Sequence, residues 1–218
     1  MPIQRFVVGP MANNCYILFS EGSNDAAIVD PGMGSEVLDQ WISQKELQIK
    51  YVLNTHGHAD HVFNNSFFVQ KRDEVLGIGF EDIPLLEQLE SSGGWMGAQP
   101  EASPVPSIDL KDGLELQIGS EMISILATPG HTPGSTCFVF EDSVLTGDTL
   151  FAGSIGRFDF PGGSLPDLVA SIKEKIFVLE PDVVVLPGHN DLSTVEKEKK
   201  DNPFVGSNST IDLSSLEN

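Results

Sequence analysis

Four potential metal ligands fall within six residues at His56-Gly57-His58-Ala59-Asp60-His61. They follow the apolar run Tyr51-Val52-Leu53, which reads as a short buried strand. Packing gives no reason to place four hydrophilic groups just past such a strand; metal binding does. In an extended segment residues two apart point the same way, so His56 and His58 can grip one ion. Asp60 and His61 lie where the chain turns toward a helix, so they can face a second ion. Gly57 and Ala59 leave room for close approach.

Three more candidates occupy the same kind of position. His131 lies in Thr128-Pro-Gly-His-Thr-Pro-Gly134, Asp148 in Thr146-Gly-Asp-Thr149 and His189 in Leu186-Pro-Gly-His189. Each follows a β-rich apolar run and sits beside glycine. All five histidines of the chain therefore fall in strand-end Gly/Pro turns, and none is placed on a helix face. An isolated Gly-Asp-Thr is an ordinary turn; Asp148 gains weight from its companions.

The rest of the chain limits what surrounds these groups. Its 218 residues suit one domain, and 40% hydrophobic content with 13 Phe can fill a sizeable core. Against 32 Asp+Glu stand 12 Lys+Arg, a net charge of −20 that argues against nucleic acid or an anionic membrane as partner. Two cysteines cannot build a disulfide framework or a thiolate zinc cluster, and Cys15 and Cys137 read as core thiols. With no long apolar stretch and no evident signal sequence, a cytoplasmic protein is expected.

Strands are expected at 3–9, 14–19 and 25–30, followed by the loop Asp30-Pro-Gly-Met-Gly34 and a helix over 35–47. Further helices are expected at about 62–71, 83–90 and 164–179, the last capped by Ser164. Strands are expected at 75–78 and 183–186, and hairpins over 114–126 and 136–146. The stretch 91–107 reads as a long loop, in which Trp95 and Met96 suggest a lid. Ser193-Thr-Val-Glu196 fits a capping box. This order suggests two packed sheets with helices outside, in one domain over 1–204 with a polar tail over 205–218.

His56-Gly-His-Ala-Asp-His61, followed by Pro129-Gly-His-Thr-Pro-Gly134, Thr146-Gly-Asp-Thr149 and Pro187-Gly-His189, resembles the metallo-β-lactamase superfamily in its dinuclear hydrolase form. Gly156-Arg-Phe-Asp-Phe-Pro-Gly-Gly163 is similar to a segment of the short single-domain bacterial glyoxalase II (hydroxyacylglutathione hydrolase)-like proteins. The resemblance runs from about residue 6 to 204. It implies an α/β (α+β) fold, a four-layer αββα sandwich with the site at one edge between the sheets. It also implies that His56, His58 and His131 bind one divalent ion, that Asp60, His61 and His189 bind a second, and that Asp148 bridges them. Nitrogen and oxygen donors suit zinc first, with iron or manganese as alternatives. Such a pair supplies an activated water for attack on a carbonyl, with Asp60 orienting it, and a thioester such as S-lactoylglutathione is the expected substrate.

The larger glyoxalase II enzymes carry a C-terminal helical domain with basic residues for glutathione; the stretch after His189 here is too short to supply one. Arg157 stands where those enzymes have a lysine, so it is the candidate substrate contact, with an ion pair to Asp159 as the competing reading. An iron-dependent persulfide dioxygenase, which would share the Gly156–Phe160 segment, is the alternative activity. A lactonase or β-lactamase-like hydrolase ranks behind both.

Overall fold

Alternation along the strand β2 (Asn13–Phe19) sends Tyr16 and Leu18 to one side and Cys15 and Ile17 to the other, and all four are buried. A strand covered on both faces belongs to an inner layer. The computed structural model describes residues 1–72 and 75–216. In its first sheet β2 lies between β1 (Ile3–Val8) and β3 (Asp25–Val29), both antiparallel to it. The sheet continues in parallel through β4 (Gln48–Leu53), β5 (Val75–Ile78) and β6 (Ile108–Asp109). Its outer face, with Cys15, Ile17, Ile28 and Val52, packs on Leu38 and Ile42 of helix α1 (Val37–Gln44) and on Phe68.

The helix expected at about 62–71 is α3 (Asn65–Arg72), and a short helix α2 (Ala59–Val62) precedes it. Between them Asn64 leaves the helical ladder: its N–H bonds the Pro31 carbonyl at 2.8 Å and its amide bonds Gly32 O and Ser35 Oγ, both at 3.0 Å. Next come α4 (Ile83–Glu87) and α5 (Leu89–Ser92), two helices in place of one. The Trp95 side chain, expected in a lid, lies outside the described residues, whereas Met96 is buried.

The second sheet runs β7 (Glu115–Ile118), β8 (Glu121–Ala127), β9 (Thr136–Val139) and β10 (Ser143–Gly147), all antiparallel. A small hairpin of β11 (Leu150–Phe151) and β12 (Ser154–Ile155) follows. Helix α6 (Leu165–Ser171) starts as expected at Ser164, whose Oγ accepts the Asp167 N–H at 3.3 Å. It widens into a π turn over Ile172–Ile176, keeping Ile172 and Ile176 buried. Strand β13 (Val184–Pro187) then joins β10 in parallel, and β14 (Ser193–Thr194) completes the edge. The last helix, α7 (Val195–Asp201), is capped by Thr194 Oγ1 rather than by Ser193, because the Ser193 hydroxyl is taken by the buried carboxylate of Glu198. Val205, at the start of the stretch expected as a polar tail, is a core residue beside Val195.

The sheets meet through Tyr16, Leu18, Val29 and Leu53 on one side and Ile123, Ile125, Phe138 and Leu145 on the other. Deleting a ring such as Phe138 from this layer costs about 3–5 kcal/mol. The outer face of the second sheet is covered by Leu168, Ile172 and Val195. The architecture is therefore the four-layer αββα sandwich expected from the sequence. No helix among the described residues is long and apolar enough to cross a membrane.

Candidate metal centre

The ends of four strands converge on one edge of the sandwich. His56 follows β4, His131 follows β8, Asp148 follows β10 and His189 follows β13. His61 comes from α2, with Asp60 beside it. The convergence needs residues without side chains: a Cβ on Gly188 would stand 2.4 Å from Asp148 Oδ1 and 2.7 Å from His61 Cε1. Gly147, at φ +47°, turns the chain into Asp148, and a Cβ there would stand 2.4 Å from Thr55 Oγ1.

The ring nitrogens gather in two groups. His131 Nε2 lies 2.9 Å from His58 Nδ1 and 3.3 Å from His56 Nε2. Next to them, His61 Nε2 lies 3.2 Å from His189 Nε2, and Asp60 Oδ2 lies 3.1 Å from His189 Nε2. Asp148 stands between the groups, with Oδ1 3.4 Å from His61 Nε2 and Oδ2 3.7 Å from both His131 Nε2 and His189 Nε2. All seven residues singled out in the sequence thus meet in one place, and His56–His58–His131, His56–His61–Asp148 and Asp60–His61–His189 each form a group able to hold an ion.

Hydrogen bonds on the far sides of four rings fix their tautomers. His131 Nδ1–H donates to the Arg157 carbonyl at 2.6 Å, and His189 Nδ1–H to the Met11 carbonyl at 3.1 Å. His61 Nδ1–H donates to Asp30 Oδ2 at 3.0 Å. Thr55 Oγ1 gives its proton to Asp30 Oδ2 at 2.7 Å, so it accepts from His56 Nδ1–H at 3.1 Å. With Nδ1 protonated, each neutral ring turns the lone pair of Nε2 inward. Facing lone pairs about 3 Å apart repel unless a cation or proton lies between them, which is the donor arrangement a metal requires.

Charge divides the two groups. Burial, reinforced by the neighbouring histidines, pushes His56 well below the ordinary histidine range. The same causes bring His58 down to about 4, so both rings are neutral at pH 7. Burial also acts against protonation of His61, but Asp148, Asp60 and Asp30 outweigh it and raise the ring well above its usual value. His189 is raised too: burial opposes, and the bond to Asp60 and the charge of Asp148 prevail. Burial alone would raise Asp60 and Asp148, yet the facing histidines, His61 foremost, hold both below the ordinary carboxylate range. The Asp60–His61–His189 side therefore favours positive charge, which a divalent ion could supply in place of protons. Asp148 Oδ1 is buried and has no hydrogen-bond partner among the described residues. An orphaned carboxylate oxygen facing imidazole lone pairs fits a metal.

Beyond the seven, Asp30, in the loop the sequence places near the site, is joined by two groups without a local sequence signal, Asp82 and Asn13. Asp30, at φ +51°, accepts from Thr55 N and Thr55 Oγ1 and from His61. Asp82 is fully buried and accepts from Gly57 N at 2.8 Å, Thr132 Oγ1 at 2.7 Å and Gly134 N at 2.7 Å, tying the His56–His58 loop to the His131 loop. The Asn13 amide bonds the carbonyls of Asp30 and Asp60.

Arg157 lies at the rim, where its guanidinium pairs bidentately with Asp159 at 2.8–2.9 Å and stacks 4.0 Å over the Phe160 ring. Both partners of the pair are exposed. Phe160, 41% exposed, meets His58 edge-to-face at 5.5 Å. Cys15 and Cys137 are buried away from the cluster, and burial raises both thiols, Cys137 to about 11.

A sequence profile of the metallo-beta-lactamase superfamily matches residues 8–189. The hydroxyacylglutathione hydrolase GloC of Haemophilus influenzae is 35% identical over 96% of this chain and 100% of its own length. The human mitochondrial persulfide dioxygenase ETHE1 is 32% identical over 86% of this chain and 69% of its own. Among solved structures, the BLEG-1 B3 metallo-beta-lactamase superimposes with a TM-score of 0.85 at 31% identity, covering 94% of this chain and 99% of its own. TTHA1623 in a di-iron-bound form gives 0.84 at 31% identity, covering 92% and 99%.

Proposed function

The chain belongs to the metallo-β-lactamase superfamily, and from that premise we propose that it is a dinuclear metal hydrolase that cleaves a thioester, such as S-lactoylglutathione or another S-acylglutathione. The observation that carries this reading is the inward aim of the Nε2 lone pairs of His56, His61, His131 and His189 toward an orphaned Asp148 oxygen. His56, His58 and His131 would hold one ion and Asp60, His61 and His189 the other, with Asp148 standing between the two groups. When bound, the two ions supply an activated water near neutral pH and polarise the carbonyl under attack. Zinc is the first expectation for this donor set, and the di-iron form of TTHA1623 keeps iron in play.

The chain's own groups set up the rest. Asp60, ionised at neutral pH, orients the attacking water through its carboxylate. Asp30, Thr55, Met11 and the Arg157 carbonyl hold four imidazoles in one tautomer, so the ligands need no reorganisation. All five histidines of the chain are committed to the cluster, which leaves none to protonate a leaving group. A thiolate, whose conjugate acid has a pKa of about 8.5, departs without such help, whereas an amine does not. This favours thioesters over amides and β-lactams.

Metal analysis of the purified protein beside hydrolysis of S-D-lactoylglutathione, read by thiol release, tests the proposal. About two ions per chain with thiol release are expected; two ions without hydrolysis would overturn the substrate. The similarity to ETHE1 favours a second reading, an iron-dependent persulfide dioxygenase. Oxygen uptake with glutathione persulfide, and none of the thioesterase activity, would select it.

A further inference from the structure

On β1, Arg5 pairs with Tyr16 and Val7 with Asn14, so these four side chains share one face. That face meets the loop carrying His189: Tyr16 OH donates to Pro187 O at 2.7 Å, and the Asn14 amide donates to Pro187 O at 2.9 Å and Asn190 O at 3.0 Å. Arg5 reaches the same loop. Its Nη1 donates to Asn190 O at 3.4 Å, a long bond and the only one its guanidinium makes among the described residues. No described carboxylate pairs with it, whereas the guanidinium of Arg157 is held by Asp159. Arg5 is thus an unpaired guanidinium beside His189 in a chain of net charge −20. Val7, Met11 and Leu192, on the three segments around it, are exposed apolar side chains.

We propose that Arg5 receives a carboxylate of the substrate's thiol moiety, at the His189 end of the site. This rests on the thioester reading above and deepens it. A strongly negative surface repels an anionic substrate, so recognition needs a local cation whose charge is not already spent. Arg157 is neutralised by Asp159 and its face is covered by Phe160. Arg5 keeps unused N–H groups in the fork geometry that suits a carboxylate. The thiol portion of the ester then lies along β1 over Val7 and Met11, and the acyl portion lies toward His58 and Phe160.

Calorimetry on the metal-loaded protein tests this with two thioethers that cannot be hydrolysed, S-hexylglutathione and the uncharged N-acetyl-S-hexylcysteamine. Arg5→Gln is expected to weaken the glutathione thioether about tenfold and to leave the uncharged one within about twofold, with Arg5→Lys intermediate and Lys175→Gln, which alters a cation paired with Asp112, without effect. In the unaltered protein the preference for the charged thioether should shrink as salt is raised. Equal weakening of both ligands by Arg5→Gln, loss on Arg157→Gln instead, or no salt-dependent preference in the unaltered protein would each overturn the assignment. Arg5-dependent binding without thioester cleavage would leave the Arg5 site standing and remove the hydrolase reading.

Discussion

Asp82 accepts the backbone N–H of Gly57 at 2.8 Å, across 25 residues of sequence, and its second oxygen takes Gly134 N. The carboxylate thereby fixes the spacing between the loop of His56 and His58 and the loop of His131. Asp82→Asn keeps the shape but presents an amide group to at least one donor. We expect a loss of about 1–3 kcal/mol in unfolding free energy and a 10–100-fold weaker hold on the ion at His56, His58 and His131, roughly the effect of losing an outer support of a metal ligand. Competition with a chromophoric chelator measures the second; unchanged affinity would mean that the loops hold their own spacing.

Asp148→Ala should remove metal and activity together. It deletes the one carboxylate that stands 3.4 Å from His61 and 3.7 Å from His131 and His189. Metal content near or below about one ion per chain and at least a hundredfold loss of hydrolysis are expected, on the order of what removing a group essential to ion placement costs. Full metal retention would count against a bridging role.

Gly188→Ala places a Cβ 2.4 Å from Asp148 Oδ1 and 2.7 Å from His61 Cε1. Relief requires moving one or both ligands. The expected outcome is a destabilisation of about 1–3 kcal/mol, typical of overpacking, together with loss of metal. A variant that still loads both ions in a titration would show that the loop can retreat.

The metal-free protein should be most stable near pH 6.5 so far as the histidine cluster is concerned. His56 and His58 have folded pKa values depressed below the unfolded value of about 6.5, so acidification from there toward 4 protonates the unfolded chain first and removes stability. His61 and His189 have raised values; their contribution is full below about 6.5 and is lost as pH rises through the folded pKa. Denaturant midpoints across pH 4–9 in chelator would check this, and a monotonic curve would contradict it. His58→Asn should flatten the acid limb.

The cluster could be singled out because histidine is scarce in this chain and four of the five histidines, His56, His58, His131 and His189, stand beside Gly after strands. The supporting groups were less legible. The loop position of Asp30 places it near the site, but its role arises from Thr55 and His61, 25 and 31 residues on. Asp82 belongs to no motif, and its role arises because loops from both sheets bury it fully. Two packed sheets followed from the order of strand and helix runs and the four-layer sandwich from the family resemblance, whereas the break at Asn64 and the cap at Thr194 did not, because each is decided by a particular side-chain bond: Asn64 to Gly32 and Ser35, and Ser193 to Glu198. Arg157 was singled out by position and proves to be held by Asp159.

The ligands are divided between the sheets: His56, His58, Asp60 and His61 come from the first, and His131, Asp148 and His189 from the second. Neither half gathers all of these groups alone, so metal uptake would rivet the two faces of the sandwich together. Hydrogen exchange in the inner strands β3, β4, β10 and β13 should then slow on metal addition even far from the ions, since separating the sheets would first require surrendering them.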